Sequence, residues 1–351
     1  MRGVQRGCLV MADISGYTRY LTGVELEHSH DVLGDLLGVV ARELGAVGML
    51  AKLEGDAVFV CDTSGTLEGQ ELLAAIDAAY LAFVRRQRTI TLRTTCECDA
   101  CSRISSLDLK FVAHHGEFVE HVVAGSSELV GGDVIVVHRL LKNDVASGNG
   151  IEAFALLTDA CARATAIDVE ALGLVAHSER YDDVGEIAGW VLDVGARARE
   201  LELTGGELVA AEDALVAVSV VCPAPRGRVW EALLDPASQM RWRAGATAVE
   251  ACDPAGGRGV GTRTHCVHGA QAFDQEITDW RPFDYYTYRE TGPYGPFMWT
   301  FELSDEGGQR TRATVRVKTL GGARQRLFMA VGRRRLQRVL EGNMATLAGS
   351  V

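Results

Sequence analysis

The sequence predicts an α+β protein of two successive domains, each a sheet with helices laid on it. Three observations carry this. From residue 7 to about 195, apolar runs of strand length alternate with segments of helical periodicity. Over residues 195–213 the strand signal lapses and Gly205 and Gly206 stand together, which marks a boundary between domains spanning 1–200 and 210–351. Beyond it, alternating segments from Ala214 onward end in one long helical pattern over residues 323–347. A chain of 351 residues ordinarily divides in two, and 47% hydrophobic with 23% charged residues suits a large buried core.

Residues 7–15 read as a central strand, and residues 17–44 carry Leu, Val and Ala at helical spacing. Residues 48–60 read as two strands turning at Glu54-Gly55-Asp56. In residues 72–86 Leu72, Leu73, Ile76, Tyr80 and Phe83 share one helical face, with Arg85, Arg86 and Arg88 at the end that favours cations. Strands are expected over 107–113 and 118–123, helices over 134–142 and 152–164, and a last strand pair over 173–179 and 185–194. Strand, helix, hairpin, helix, strand is the order of a ferredoxin-like α/β sandwich.

The net charge of −12 argues against general binding to nucleic acid or to an anionic membrane surface, both of which need clustered Lys and Arg. The first residues run into a strand broken at Asp13, too short for a signal or membrane helix, so a cytoplasmic protein with no membrane span is expected. Nine cysteines in such a chain fit reduced thiols or metal ligands. Cys96, Cys98 and Cys101 are closely spaced. A zinc site completed by His114 or His115 is one reading, and a loop of free thiols is the other.

Asp13 and Asp56 are each delivered by an apolar run to a Gly-marked bend. Two carboxylates at neighbouring strand ends suit Mg²⁺ or Mn²⁺, with a substrate phosphate supplying the remaining ligands. The competing reading of each is a turn former or a helix cap.

These residues also carry a resemblance. Asp13-Ile-Ser-Gly-Tyr-Thr18, Lys52-Leu-Glu-Gly-Asp56, Lys110-Phe-Val-Ala-His-His-Gly-Glu117 and Glu128-Leu-Val-Gly, followed by Ile135 and Arg139, occur in the order found in class III adenylyl/guanylyl cyclase catalytic domains. The resemblance covers about residues 7–195, and the Cys-rich insertion at 96–101 departs from it. It implies two Mg or Mn ions on Asp13 and Asp56, activating a ribose hydroxyl for in-line attack. It implies a phosphate-approach loop at Ile14 and Gly16, adenine selection by Lys52 and Glu128 with ATP favoured over GTP, and a charge-stabilising role for Arg139. A homodimer with composite sites follows from it, formed by residues 52–60 and 128–139. Two features point to binding with little turnover: Ile135 stands where the family has a ribose-orienting Asn, and no Lys occurs between Lys142 and Lys318.

The second half begins with a strand at 214–222, has short helices at 225–234 and 236–242, and then about six strand segments before the long helix. With the segments Arg228-Val-Trp-Glu-Ala-Leu-Leu-Asp-Pro236 and Asp279-Trp-Arg-Pro282, it resembles the helix-grip superfamily of START, polyketide-cyclase and birch-pollen-allergen proteins over residues 214–351. The resemblance implies a cavity for an apolar small molecule or lipid, with Trp242, Trp280, Tyr286 and Trp299 as candidate walls. His265 and Cys266 alternate on one strand and point to opposite faces, against a shared metal. Two functions remain in view. One is a nucleotide-binding cyclase-like protein, an adenylate cyclase if active, governed by the ligand of the second domain. The other is a lipid- or polyketide-binding protein whose first domain only dimerises or senses nucleotide.

Overall fold

Strand β1 (Gln5–Ser15) is the axis of the first of two units, Met1–Arg199 and Glu200–Val351. The computed structural model describes residues 3–22, 24, 26–93, 99–123, 126–203, 206–252 and 257–351. After β1 come α1 (Tyr17–Leu21), α2 (Leu26–Leu44), β2 (Met49–Glu54), β3 (Ala57–Asp62), α3 (Gly69–Arg93), α4 (Asp99–Ser102) and β4 (Asp108–Val123). The first four strands lie in the order β2-β3-β1-β4, every neighbour antiparallel. That is the ferredoxin-like arrangement.

The chain continues through β5 (Ser126–Val130), α5 (Gly132–Leu140), α6 (Val145–Asn149), β6 (Phe154–Thr158), α7 (Asp159–Ala164), β7 (Val175–Tyr181), β8 (Gly185–Asp193) and α8 (Val194–Leu203). β6 joins β4 in parallel, β8 and β7 follow outward, and β5 pairs with the far end of β4. The period of two sorts the central strands. Leu9, Met11, Phe59 and Val112 pack with Val134, Val137 and Leu140 of α5. Val10, Ala12, Val58 and Val60, equally buried, point to the opposite face. Asp13 has the parity of Leu9 and Met11, so its carboxylate emerges at the rim of the core under α5.

Three expectations need correction. Residues 17–44 form two helices, the first closing where the Thr22 hydroxyl donates to the Thr18 carbonyl at 2.9 Å. Residues 152–164 were expected as one helix, but Phe154–Thr158 is a strand buried at every position, and only Asp159–Ala164 is helical. A strand covered on both faces has no period to read. The junction is set by Thr158, whose hydroxyl accepts from the Cys161 N–H at 3.2 Å. Residues 107–113 and 118–123 belong to one continuous strand, because Gly116 does not turn the chain. It makes room: a β-carbon there would fall 2.2 Å from Cγ of Asp133.

In the second unit β9 (Val216–Cys222), α9 (Arg226–Leu234) and α10 (Pro236–Trp242) precede β10 (Ala246–Cys252), β11 (Arg263–His268), β12 (Gln271–Arg281), β13 (Tyr285–Thr291), β14 (Phe297–Gly307), β15 (Arg310–Thr319) and α11 (Ala323–Ser350). The sheet is antiparallel in the order β10-β11-β12-β13-β14-β15-β9. α11 packs against β9 and α10, the grip of a sheet on its terminal helix. Asp235 starts α10 by accepting from the Ser238 N–H at 2.7 Å, with Pro236 at the first helical position. Trp230 is the centre of the core, edge-on to Trp280 at 4.9 Å and to Tyr286 at 5.5 Å.

Gly116→Ala is expected to push Asp133 off its partners and destabilise the first unit by about 1–3 kcal/mol. A lowered urea midpoint checks this, and an unchanged midpoint would show that Asp133 can move freely.

Candidate functional sites

In the first unit, the antiparallel register sets Asp13 opposite both Ala57 of β3 and Lys110 of β4. Asp56 sits in the turn before β3, and its carbonyl accepts from the Ile14 N–H at 3.0 Å. Burial pushes Asp13 above the usual carboxylate range, Lys110 opposes that, and the nearby Asp56 adds to it. Burial likewise raises Asp56, again against Lys110. The Lys110 ammonium lies 3.1 Å from Oδ2 of Asp13 and donates to the Leu141 carbonyl at 2.9 Å. A cation of the protein's own thus already serves the pair. Lys110 competes for one of the carboxylate oxygens that divalent ions on Asp13 and Asp56 would use.

Ile14 is buried, and its N–H is taken by Asp56, so it offers no amide to an anion. Gly16 has φ 86°, a left-handed conformation that favours glycine, and its carbonyl accepts from Tyr20 at 2.9 Å.

Lys52 and Glu128, far apart in sequence, come together at 3.0 Å. The ammonium is also 3.6 Å from Glu54, and Glu128 is the first cause of its raised pKa. Sequence reasoning missed how this cluster continues. His138 of α5 places Nε2 2.9 Å from Glu54 and Nδ1 2.8 Å from the Val134 carbonyl, so both ring nitrogens face acceptors. Only its place one residue before Arg139 could have signalled it. Arg139 is paired with Asp183 at 2.5 Å, and Ile135 is 52% exposed, an apolar group where a donor would be needed.

Of the zinc candidates, Cys96 and Cys98 lie outside the described residues, and Cys101 is buried. His114 is already committed, with Nδ1 2.9 Å from the Thr158 hydroxyl and Nε2 3.1 Å from Asp133. Burial works against the Asp133 carboxylate, but the Glu117 N–H and His114 hold its pKa below the usual value. Among the described residues, no three His, Cys, Asp or Glu side chains are grouped to hold a metal ion.

The second unit encloses a cavity of about 20 Å³. Tyr286 lines it, and its walls are mixed: Leu234, Ala251 and Ile277 stand beside Gln239, Arg243 and Gln275. The other aromatic candidates are engaged elsewhere. Trp280 packs on Trp230, the Trp242 indole donates to the Ala232 carbonyl at 2.8 Å, and Trp299 stacks on Tyr288 with its N–H 3.2 Å from Glu290. His265 pairs with Asp274 at 2.7 Å, while Cys266 is buried and meets His268 at 3.1 Å.

Fold and sites define a two-unit α+β protein, a ferredoxin-like sandwich followed by a helix-grip domain. The chain belongs to the family of the uncharacterized protein Rv2561/Rv2562 of Mycobacterium tuberculosis (strain ATCC 25618 / H37Rv), with which it is 34% identical over 152 residues, 42% of this chain and 68% of the relative. Residues 213–351 match the polyketide cyclase / dehydrase and lipid transport family. Residues 33–149 match a protein family of unknown function, DUF2652, and not a cyclase domain. Solved structures similar to the chain include DynU16 of the dynemicin biosynthetic locus, at 24% identity over 38% of this chain and 45% of that one, TM-score 0.30. The chain thus spans less than half the length of DynU16. They also include the guanylyl cyclase Cya2, at 14% identity over 54% of this chain and 92% of that one, TM-score 0.39. No helix among the described residues is long and apolar enough to cross a membrane.

The raised carboxylates fix the sign of a pH effect. Groups whose folded pKa lies above the unfolded value stabilise the fold at low pH and lose that contribution as pH rises through the folded value. Lys110→Met removes the charge that offsets this loss. It should cost about 1–3 kcal/mol at pH 7 and progressively less as pH falls toward the ordinary aspartate value. Urea midpoints at the two pH values measure it, and a loss independent of pH would place the effect in packing alone.

Proposed function

We propose that the chain is a small-molecule-binding protein whose first unit holds a purine nucleotide without turning it over. The observation that carries this is the Lys110 ammonium seated on Asp13 at 3.1 Å and tied to the Leu141 carbonyl. It engages one of the two carboxylates that a metal-dependent transfer would require. Arg139 engaged with Asp183 and the exposed Ile135 fit the same reading, since neither offers a free, preorganised donor to a transferring phosphoryl group. Lys52 and Glu128, in contrast, stand together as a donor and an acceptor, the pairing that an adenine edge requires. ATP is therefore the favoured nucleotide, and the second unit supplies the site for the small molecule.

Homodimerisation belongs to this reading. β2 is an edge strand, and it exposes Met49, Leu50 and Leu53 beside Lys52, while Val130 of β5 is exposed nearby. These apolar side chains also favour the second reading, in which the first unit serves only to pair two chains. Zinc on Cys96, Cys98 and Cys101 would support either arrangement structurally, and elemental analysis of protein purified without added metal decides it.

Calorimetry should find ATP bound more tightly than GTP, with binding that persists in EDTA and no cyclic product by chromatography. Lys52→Ala should weaken ATP by about tenfold. Cyclic AMP formed with Mg²⁺ or Mn²⁺ would overturn the absence of turnover. If neither nucleotide binds while light scattering shows a dimer, the second reading stands.

A further inference from the structure

The cavity of the second unit has polar groups that an apolar ligand would leave unused. Arg243 is buried, and burial works against its charge, yet its surroundings, Tyr288 first, shift its pKa up. It donates to the Gln275 side-chain oxygen at 3.3 Å and lies over the Trp242 ring at 5.1 Å. A guanidinium has five N–H donors in a planar fork; Gln275 and the Cys266 thiol engage two of them, and the side chain lines the cavity. Glu290 does not quench it directly, because Gln275 stands between them and donates to Glu290 at 2.7 Å. Arg258, the other cation of the wall, is held by both oxygens of Glu231 at 2.6 and 2.7 Å.

Two further wall residues have polar atoms without partners. The Tyr286 hydroxyl and Oε1 of Gln239 are buried and bond to nothing, in side chains only 2% and 4% exposed. Such groups are rare, because an unpaired buried donor or acceptor has lost water and gained nothing. Here they flank a buried cation. Tyr286 can donate, and Oε1 of Gln239, whose amide nitrogen already gives one N–H to the Leu234 carbonyl at 3.2 Å, can accept.

We propose that this cavity receives a small hydroxylated carboxylic acid. The Arg243 guanidinium and the Tyr286 hydroxyl donate to its carboxylate, and Gln239 accepts from its hydroxyl. The proposal rests on the reading of the second unit as a small-molecule site and names the ligand's chemistry. At about 20 Å³ the cavity is the size of one water, so a ligand enters by parting the walls. Relief of the two orphaned groups and the unsaturated guanidinium then favours an acid head over a hydrocarbon one.

The test is calorimetry on the full chain with matched probes: salicylate against salicylamide, and decanoate against decanol. Salicylate should bind at least tenfold more tightly than salicylamide and than decanoate. Tyr286→Phe should weaken salicylate about tenfold while leaving the thermal midpoint unchanged or raised, since it removes an unpaired hydroxyl. Arg243→Gln, checked for folding by circular dichroism, should abolish the preference for the acid. The proposal is overturned if salicylamide or decanol binds as tightly as its acid, if decanoate equals salicylate, or if Tyr286→Phe binds as the parent does. In each of those cases a small-molecule site survives. If no probe binds, the reading of the second unit fails as well.

Discussion

The cross-strand pair of Asp13 and Lys110 is the constraint on which the first unit's chemistry depends. The register of β1 against β4 places the two residues opposite each other, and once they are opposite, the long lysine stem reaches both the carboxylate and the end of α5. A buried carboxylate demands compensation, and a cation on the neighbouring strand supplies it without any ion from solution. On the reading proposed above, the charge of a substrate phosphate would then meet a site whose positive charge is already engaged.

The second unit follows the opposite electrostatic pattern. There a guanidinium is buried with one amide oxygen, one thiol and an aromatic face, and the carboxylate that might have paired with it is one residue removed. Burial also raises the Glu290 pKa, which weakens its claim on Arg243 further. An incompletely satisfied buried cation in a core otherwise built of stacked rings has no evident packing purpose, because an isosteric apolar residue would fill the space at lower electrostatic cost. Such a cost is tolerated where a binding partner removes it.

Much of this architecture was legible in the sequence because its signals are local. The hairpin at Glu54-Gly55-Asp56, the amphipathic α3 and the long α11 are all carried by spacing within a short window. β6 was not legible, since a strand buried on both faces has no alternation. Within the sites, Asp13, Asp56, Lys52 and Glu128 were marked by their motifs, and the structure does bring Lys52 to Glu128. Lys110 and Glu54 were read only as members of their motifs and His138 was passed over, because a charged residue takes its meaning from the residue across from it, and register lies beyond a single segment. The cavity was read as apolar from its aromatics. Most of those rings form the stacked core, and the space is faced by Tyr286 and Tyr288 together with apolar and polar residues.

Several motif residues turn out to have structural duties that need no catalysis. The Asp56 carbonyl fastens the hairpin turn to β1 through Ile14, Gly16 holds a left-handed bend, and Gly116 admits Asp133 to the Glu117 N–H and to His114. Each of these would be retained by folding alone. A motif of this kind therefore testifies first to the strand order and close approaches it makes possible, and to chemistry only where the side chains remain free to act. In the first unit Lys52 and Glu128 engage each other as Lys110 and Asp13 do, and what separates the two pairs is that the first is half-exposed and the second mostly buried.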